Sequence, residues 1–189
     1  MSKISITKSK RLIVRSVTPD DVPLIVQWKS DPLVQSMALG PSTVIDPEGQ
    51  RQDVERALSS DDETYCIICL RDQEQPIGYI RTNFMDDEKK IVWLRFALGS
   101  HRGQGFMKES LRSYLGQLFN SGIDRIEAEV YDSNLPIKHL MESIGFVAEG
   151  RKRDAHFDGK RYIDVVVYGL LRNEWTGNGN HPSMKQQET

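Results

Sequence analysis

Between residues 64 and 99 the chain carries three strand-like runs with no helix between them: TYCIICLRD (64–72), PIGYIRTNF (76–84) and KKIVWLRFALG (89–99). Only the turn sequences QEQ and DDE separate them, so they are read as an antiparallel meander. The third run passes straight into SHRGQGFMKESL (100–111), where two glycines stand at the point a helix should begin. A meander followed by a glycine junction and then a helix leaves few folds open.

The junction invites three readings. A dinucleotide fingerprint needs a third glycine and a parallel βαβ unit, but Lys108 stands three residues after Gly105 and the preceding strand belongs to a meander. A Walker loop needs G-x-x-x-x-G-K-[ST], which is absent. What remains is a strand–turn–helix junction whose free backbone N–H groups and helix dipole favour an anion. Gly103 and Gly105 let the main chain approach a phosphate closely, and Arg102 adds charge. On this stretch alone, a bare turn is the alternative.

The flanking sequence extends the pattern. KRLIVRSV (10–17) reads as a first strand, and TPDDVPLIVQWKS as a helix capped by Thr18 or Asp20. DPLVQSMALG reads as a short second helix ending at Gly40, PSTVIDPEGQ as a loop and RQDVERALSS as a polar helix. QGFMKESLRSYLGQLFNSG is amphipathic, with Met107, Leu111, Leu115 and Leu118 on one stripe. IDRIEAEVYDSN is a strand, NLPIKHLMESIG a short helix closed by Gly145, and 146–171 a hairpin around Asp158-Gly159. The order β-αα(α)-βββ-α-β-α-ββ predicts a mixed α/β sheet with helices on both faces.

At 189 residues the chain is read as a single domain over 1–175 with a polar extension at 176–189. Its net charge of −2 provides no basic field, which argues against nucleic acid as a partner. The N-terminus lacks an apolar signal region and no apolar run is long enough to span a bilayer, so a cytoplasmic location and no membrane partner are expected. Cys66 and Cys69 spell CIIC, but residues three apart on a strand face opposite sides, and no second ligand pair exists for zinc. Core thiols are expected, with no metal and no disulfide. The four histidines are scattered and form no ligand pattern.

RGQGFM after the meander, then a helix, a strand and N-x-x-x-x-x-L-x-x-x-I-G-F, resembles the GNAT superfamily of acetyl-CoA-dependent N-acetyltransferases. Arg102, Gly103 and Gly105 match its pyrophosphate loop, Asn134 opens the next helix, and Ile144-Gly145-Phe146 close it. The resemblance runs from about residue 10 to Trp175, and Glu149–Leu171 further resembles the branch of ribosomal-protein N-terminal, polyamine and amino-sugar acetyltransferases. It implies a GNAT fold with about seven strands, splayed between the fourth and fifth. It also implies acetyl-CoA as acetyl donor, a primary amine (a small molecule such as an amino sugar, or a protein N-terminus) as acceptor, and a homodimer as one available assembly. A non-catalytic acetyl-CoA-binding protein is the alternative. Met107 stands where the family usually has Gly or Ala; Met141 and Ile137 stand where members often place a tyrosine or a serine as proton donor.

By this resemblance, acetyl-CoA is held by the main chain of Phe96, Ala97 and Leu98, by His101, Arg102, Gly103, Gln104, Gly105, Phe106 and Met107, and by Asn134 and Ile137. The chemistry needs a neutral amine, yet an alkyl ammonium is neutral in only roughly one molecule in 2,500 at pH 7. Glu129 is the first candidate base, ahead of Glu127 and Asp132; its other reading is a salt-bridged carboxylate. Ser133 and Tyr131 are candidate acids, with water as the alternative donor. Asn134 either contacts CoA or simply caps its helix. Trp28, Arg81, Trp93 and Arg95, with Asp31, are candidates for acceptor binding, and aromatic and basic groups together suit a sugar ring or a nucleotide phosphate. Trp28, at helical spacing, reads first as core. Met141, two turns after Asn134, is expected to bring its thioether to the CoA sulfur.

Overall fold

The computed structural model describes residues 7–39 and 44–177. Eight strands form one sheet in the order β1-β2-β3-β4-β5-β6-β8-β7. They are β1 (Thr7–Lys8), β2 (Leu12–Ser16), β3 (Glu63–Leu70), β4 (Pro76–Phe84), β5 (Ile91–Leu98), β6 (Arg125–Tyr131), β7 (Val147–Phe157) and β8 (Tyr162–Leu171). All neighbours pair antiparallel except β5 and β6, which run parallel. The helix between those two supplies the crossover that a parallel pair requires.

Helices cover both faces. On one, α1 (Val22–Lys29) and α3 (Pro47–Ser59) set Ile25, Trp28, Val54 and Ala57 against Ile67 and Tyr79. On the other, α4 (Phe106–Asn120) and α5 (Leu135–Ile144) set Leu111, Leu115, Met141 and Ile144 against Ile68, Ile80 and Leu94. The stripe expected on α4 is fully used: Met107, Leu111, Leu115 and Leu118 are all buried. Gly145 ends α5 at φ +113°, where a Cβ would be strained. The short α2 (Pro32–Val34) continues as a π-helical turn over Gln35–Leu39.

The observed elements differ from the sequence reading at three places. Two residues at Thr7–Lys8 hairpin back onto β2 and make an eighth strand, too short to show a period. Helix α3 begins at Pro47, inside the stretch read as a loop. Asp46 accepts from the N–H groups of Glu48 (3.3 Å) and Gly49 (2.8 Å), and Pro47 lacks only an N–H that the first turn leaves unused. Met141 is fully buried in the core and borders neither the groove between β5 and β6 nor the cavity beside it, so its thioether does not reach that opening as expected. The end of the second helix at Gly40, His181 and residues 178–189 of the polar tail lie outside the described residues.

Cys66 and Cys69 are free and buried, in the cores on opposite faces of β3. Burial pushes the Cys66 thiol up to about 12. Trp28 packs onto the backbone at the end of β5, where a Cβ on Gly99 would fall 1.9 Å from its Cδ1. Gly99→Ala therefore forces the indole or the strand to move, at a cost of about 1–3 kcal/mol. For a chain of this size the melting temperature should drop by roughly 2–4 °C per kcal/mol. Calorimetry that finds the melting temperature of Gly99→Ala unchanged would contradict this packing.

Candidate active site

The parallel pairing of β5 and β6 is short. Ile91, Val92 and Trp93 pair with Arg125, Ile126 and Glu127, and the ladder then stops. Beyond that point β5 stays with β4 as far as Leu98, and β6 stays with β8 as far as Tyr131. The facing edges are left with unpaired main-chain groups, and an extended ligand can bond there as an added strand. A groove of about 480 Å³ occupies the opening. Phe96, Ala97 and Leu98 line one wall, Ile137 and Leu140 the other, and Met37 and Val34 also border it. Such a lining suits an apolar, amide-bearing chain.

The glycine loop also borders this groove. Gly103 and Gly105 adopt φ of +78° and +76°, and His101 also lies at positive φ, +56°. Among the described residues, none of the N–H groups of 103–107 donates to the protein, and they stand at the N-terminus of a helix of 15 residues. Nothing lies within 4 Å of a Cβ built on Gly103. An open, unpaired set of amides fits a phosphate. The loop is fastened by Arg11 of the segment entering β2. Its guanidinium lies 4.4 Å over the Phe106 ring and donates to the Gln104 carbonyl (3.2 Å) and the Glu109 carboxylate (2.6 Å). Although burial opposes it, the N–H of Arg11, Ser9 and the Arg11 guanidinium hold the Glu109 carboxyl below its ordinary value. Arg102 donates to the Leu98 carbonyl (2.9 Å) and pairs with Asp31 (2.7 Å). His101 Nδ1 lies 2.9 Å from Ser100 Oγ.

A second cavity, of about 160 Å³, opens from the same gap. Met37, Ala38, Phe96, Asn134 and Ile137 border both spaces. Asn134 caps α5 through Ile137 N–H (3.4 Å), and its Nδ2 donates to the Met37 carbonyl (3.2 Å), so it joins the helix to the π-helical turn. The inner wall is formed by Lys29, Tyr65, Tyr79, Arg81 and Arg95, with Glu129 and Tyr131 on β6. Arg81 is buried and held by Asp53 (2.6 and 3.0 Å) and Glu63 (2.6 and 3.0 Å). Burial opposes its charge, but those two carboxylates raise the net value. Glu129 accepts from Lys152 Nζ at 2.5 Å. The Tyr131 hydroxyl lies 3.0 Å from His156 Nε2.

The structure thus brings Phe96, Ala97, Leu98, Arg102, Gly103, Gly105, Met107, Asn134 and Ile137 to the groove, and Arg81, Arg95 and Glu129 to the second cavity. Ser133 is exposed and borders neither; Gln104 is exposed on the loop. Trp28 is buried in the α1/α3 core, and Trp93 lies beneath Arg95 with 5.5 Å between guanidinium and ring centre. The sequence reading missed Lys29, Tyr65, Tyr79 and Arg11. Lys29 looked like the polar end of a helix, the tyrosines looked like strand core, and nothing local links Arg11 to a glutamate 98 positions away. Among the described residues no cluster of His, Cys, Asp and Glu could hold a metal ion, and no helix is long and apolar enough to cross a membrane.

Lys29 keeps its charge at a cost. Burial pushes its ammonium down to about 8 against the opposing pull of Asp53, with smaller help from the Arg81 and Arg95 charges. Its Nζ donates to Gln50 (2.7 Å) and sits 5.9 Å from the ring centres of Tyr65 and Tyr79. Burial raises both phenols, Tyr79 to about 12, so they remain neutral where Lys29 titrates. From about pH 8 to the ordinary lysine value of 10.5, the unfolded chain binds the proton that the folded one has released. Stability therefore gains with pH across that window. Relative to Lys29→Met, the unfolding free energy of the wild type should rise between pH 8 and 10; a difference independent of pH would contradict the burial of this charge.

Comparison with known proteins shows the family. The family description "Acetyltransferase (GNAT) domain" matches residues 11–147. The chain is 30% identical over 177 residues to an uncharacterized N-acetyltransferase p20 of Bacillus licheniformis, covering 89% of this chain and 97% of that one. Its fold is similar to spermidine N-acetyltransferase of Vibrio cholerae solved with CoA and spermine (TM-score 0.80, 20% identity, 87% of this chain and 98% of that one). It is also similar to the Salmonella typhimurium enzyme that modifies the N-terminal serine of ribosomal protein L7/L12 (TM-score 0.76, 20% identity, 88% and 99%). The chain belongs to the GNAT family of acetyltransferases.

Proposed function

We propose that this acetyltransferase transfers acetyl from acetyl-CoA to a primary amine held in the cavity lined by Lys29, Tyr65, Arg81, Arg95 and Glu129. The observation that carries the reading is the junction of two spaces at one unpaired strand edge: a groove bordered by free amides on one side, a polar cavity on the other. Acetyl-CoA supplies an activated acyl group as its thioester. The amides of 103–107 bind its pyrophosphate, and the edge of β5 at Phe96–Leu98 orients the chain that follows. Main-chain donors aimed at a developing oxyanion are worth a few kcal/mol.

Glu129 is the proton acceptor for the incoming ammonium. Its partner Lys152 is 54% exposed, and a surface pair of that kind contributes only ~0–1 kcal/mol, so the carboxylate is free to exchange partners. Tyr131 borders the acceptor cavity and holds a proton next to His156, which places it better than the exposed Ser133 to return one. Asn134 fixes the wall shared by donor and acceptor.

The direct test is free-thiol release from acetyl-CoA in the presence of amino sugars, polyamines and N-terminal peptides. Turnover with at least one class is expected. Binding of acetyl-CoA with no thiol release for any amine would favour the non-catalytic alternative. Glu129→Gln should lower kcat by about 10²-fold or more while leaving acetyl-CoA affinity unchanged; a change smaller than threefold would remove Glu129 from this role.

Gly105→Val forces a β-branched residue to φ +76° at the phosphate site and should raise the CoA Kd at least ~tenfold, about 1.4 kcal/mol. Calorimetric titration of the folded variant checks this. Unchanged affinity would refute the amide cradle.

A further inference from the structure

The inner wall of the acceptor cavity holds more positive charge than the protein neutralises. Arg81 is matched by Asp53 and Glu63, and Glu129 on the opposite wall is matched by Lys152. Among the described residues Lys29 and Arg95 have no carboxylate within ion-pair distance; Lys29 donates to Gln50, and Arg95 donates to Asn83 and lies over Trp93. A third group is also unsatisfied. The Tyr65 side chain is 3% exposed and borders the cavity, and its hydroxyl has no hydrogen-bond partner.

Lys29, Arg81 and Arg95 thus share the wall with two carboxylates, which leaves one positive charge in excess. Arg95 is exposed, so the cost without a ligand falls on half-buried Lys29 and on the orphaned hydroxyl. A buried polar group lacking a partner forfeits the hydrogen bond it would make in water, and like charges across a partly desolvated space repel. An anion relieves both. Phe96, Asn134 and Ile137 border both this cavity and the donor groove, so the anion site and the donor groove share a wall. A polyamine would bring further positive charge to the same wall.

Resting on the acetyltransferase reading above, we propose that the acceptor is an anionic amine, whose carboxylate or phosphate is held by Lys29, Arg95 and the Tyr65 hydroxyl while its amino group faces the donor groove. The anion thereby selects the acceptor and draws a site that would otherwise repel ammonium groups back toward neutrality. The amine then loses its proton to Glu129, the C–N bond forms as the C–S bond of the thioester breaks, and the thiolate takes up a proton.

The test uses matched acceptors in the thiol-release assay: glucosamine 6-phosphate against glucosamine, glutamate against glutamic acid diamide (both carboxylates blocked as amides), and spermidine as a polycation. Phosphate and carboxylate arms show which anion the site takes. The anionic member of at least one pair should exceed its neutral partner at least tenfold in kcat/KM, and spermidine should be the poorest acceptor. Arg95→Gln and Lys29→Met should bring that ratio to within about threefold of unity, with the acetyl-CoA Kd unchanged. Turnover without an anion preference, or a preference that survives in the double variant, would overturn the proposal and leave the acetyltransferase reading intact. Should none of these amines turn over, inorganic phosphate added at saturating CoA decides the matter. It should raise the melting temperature of the wild type but not of the double variant; equal shifts, or none, would overturn the proposal.

Discussion

The interruption of the β5–β6 ladder is the constraint on which the site depends. Three paired positions hold the two halves of the sheet together, and beyond Trp93 and Glu127 each strand keeps only its outer partner. The opening exposes main-chain groups that a closed sheet would consume, and such groups carry no side chain that mutation could tune. What surrounds the opening keeps it in shape. Asn134 ties the start of α5 to the Met37 carbonyl, and Arg11 ties the glycine loop to Glu109. The groove and the second cavity therefore meet along backbone whose position is set by packed layers on both faces.

The second cavity is organised by charge rather than by shape. Arg81 sits between Asp53 of α3 and Glu63 of β3, so that one guanidinium joins a helix to the sheet. A buried pair of this sort stabilises little in net terms, but losing one partner is costly, which makes it a rigid reference point. Lys29 is different in kind. Its charge is kept at a partly buried position against desolvation and two neighbouring arginines. Groups retained at the expense of stability concentrate at functional sites.

Much of the fold was legible because its signals are local. Strand β4 has the bounds read from PIGYIRTNF, the stripe on α4 is buried as its spacing implied, and Gly145 closes α5 at positive φ. The glycine loop was legible for the same reason: a positive φ at Gly103 and Gly105 is a demand that sequence displays directly. The wall of the second cavity was legible only in part. Arg81 and Arg95 stood out as charges in apolar strands, but Tyr65 and Lys29 look ordinary until strand β3 and helix α1 are brought together. Met141 shows the opposite failure. Its spacing from Asn134 suggested a shared face, whereas packing turns Ile137 and Leu140 to the groove and Met141 into the core.

The central claim is that the opening between β5 and β6 holds the acetyl donor so that its reactive end meets the acceptor cavity. A crystal structure of the protein with CoA tests it most directly. The pyrophosphate should lie on the amides of residues 103–107, the pantetheine along Phe96–Leu98, and the sulfur at the border formed by Phe96, Asn134 and Met37. A sulfur remote from that border, or a pantetheine outside the strand opening, would contradict the account.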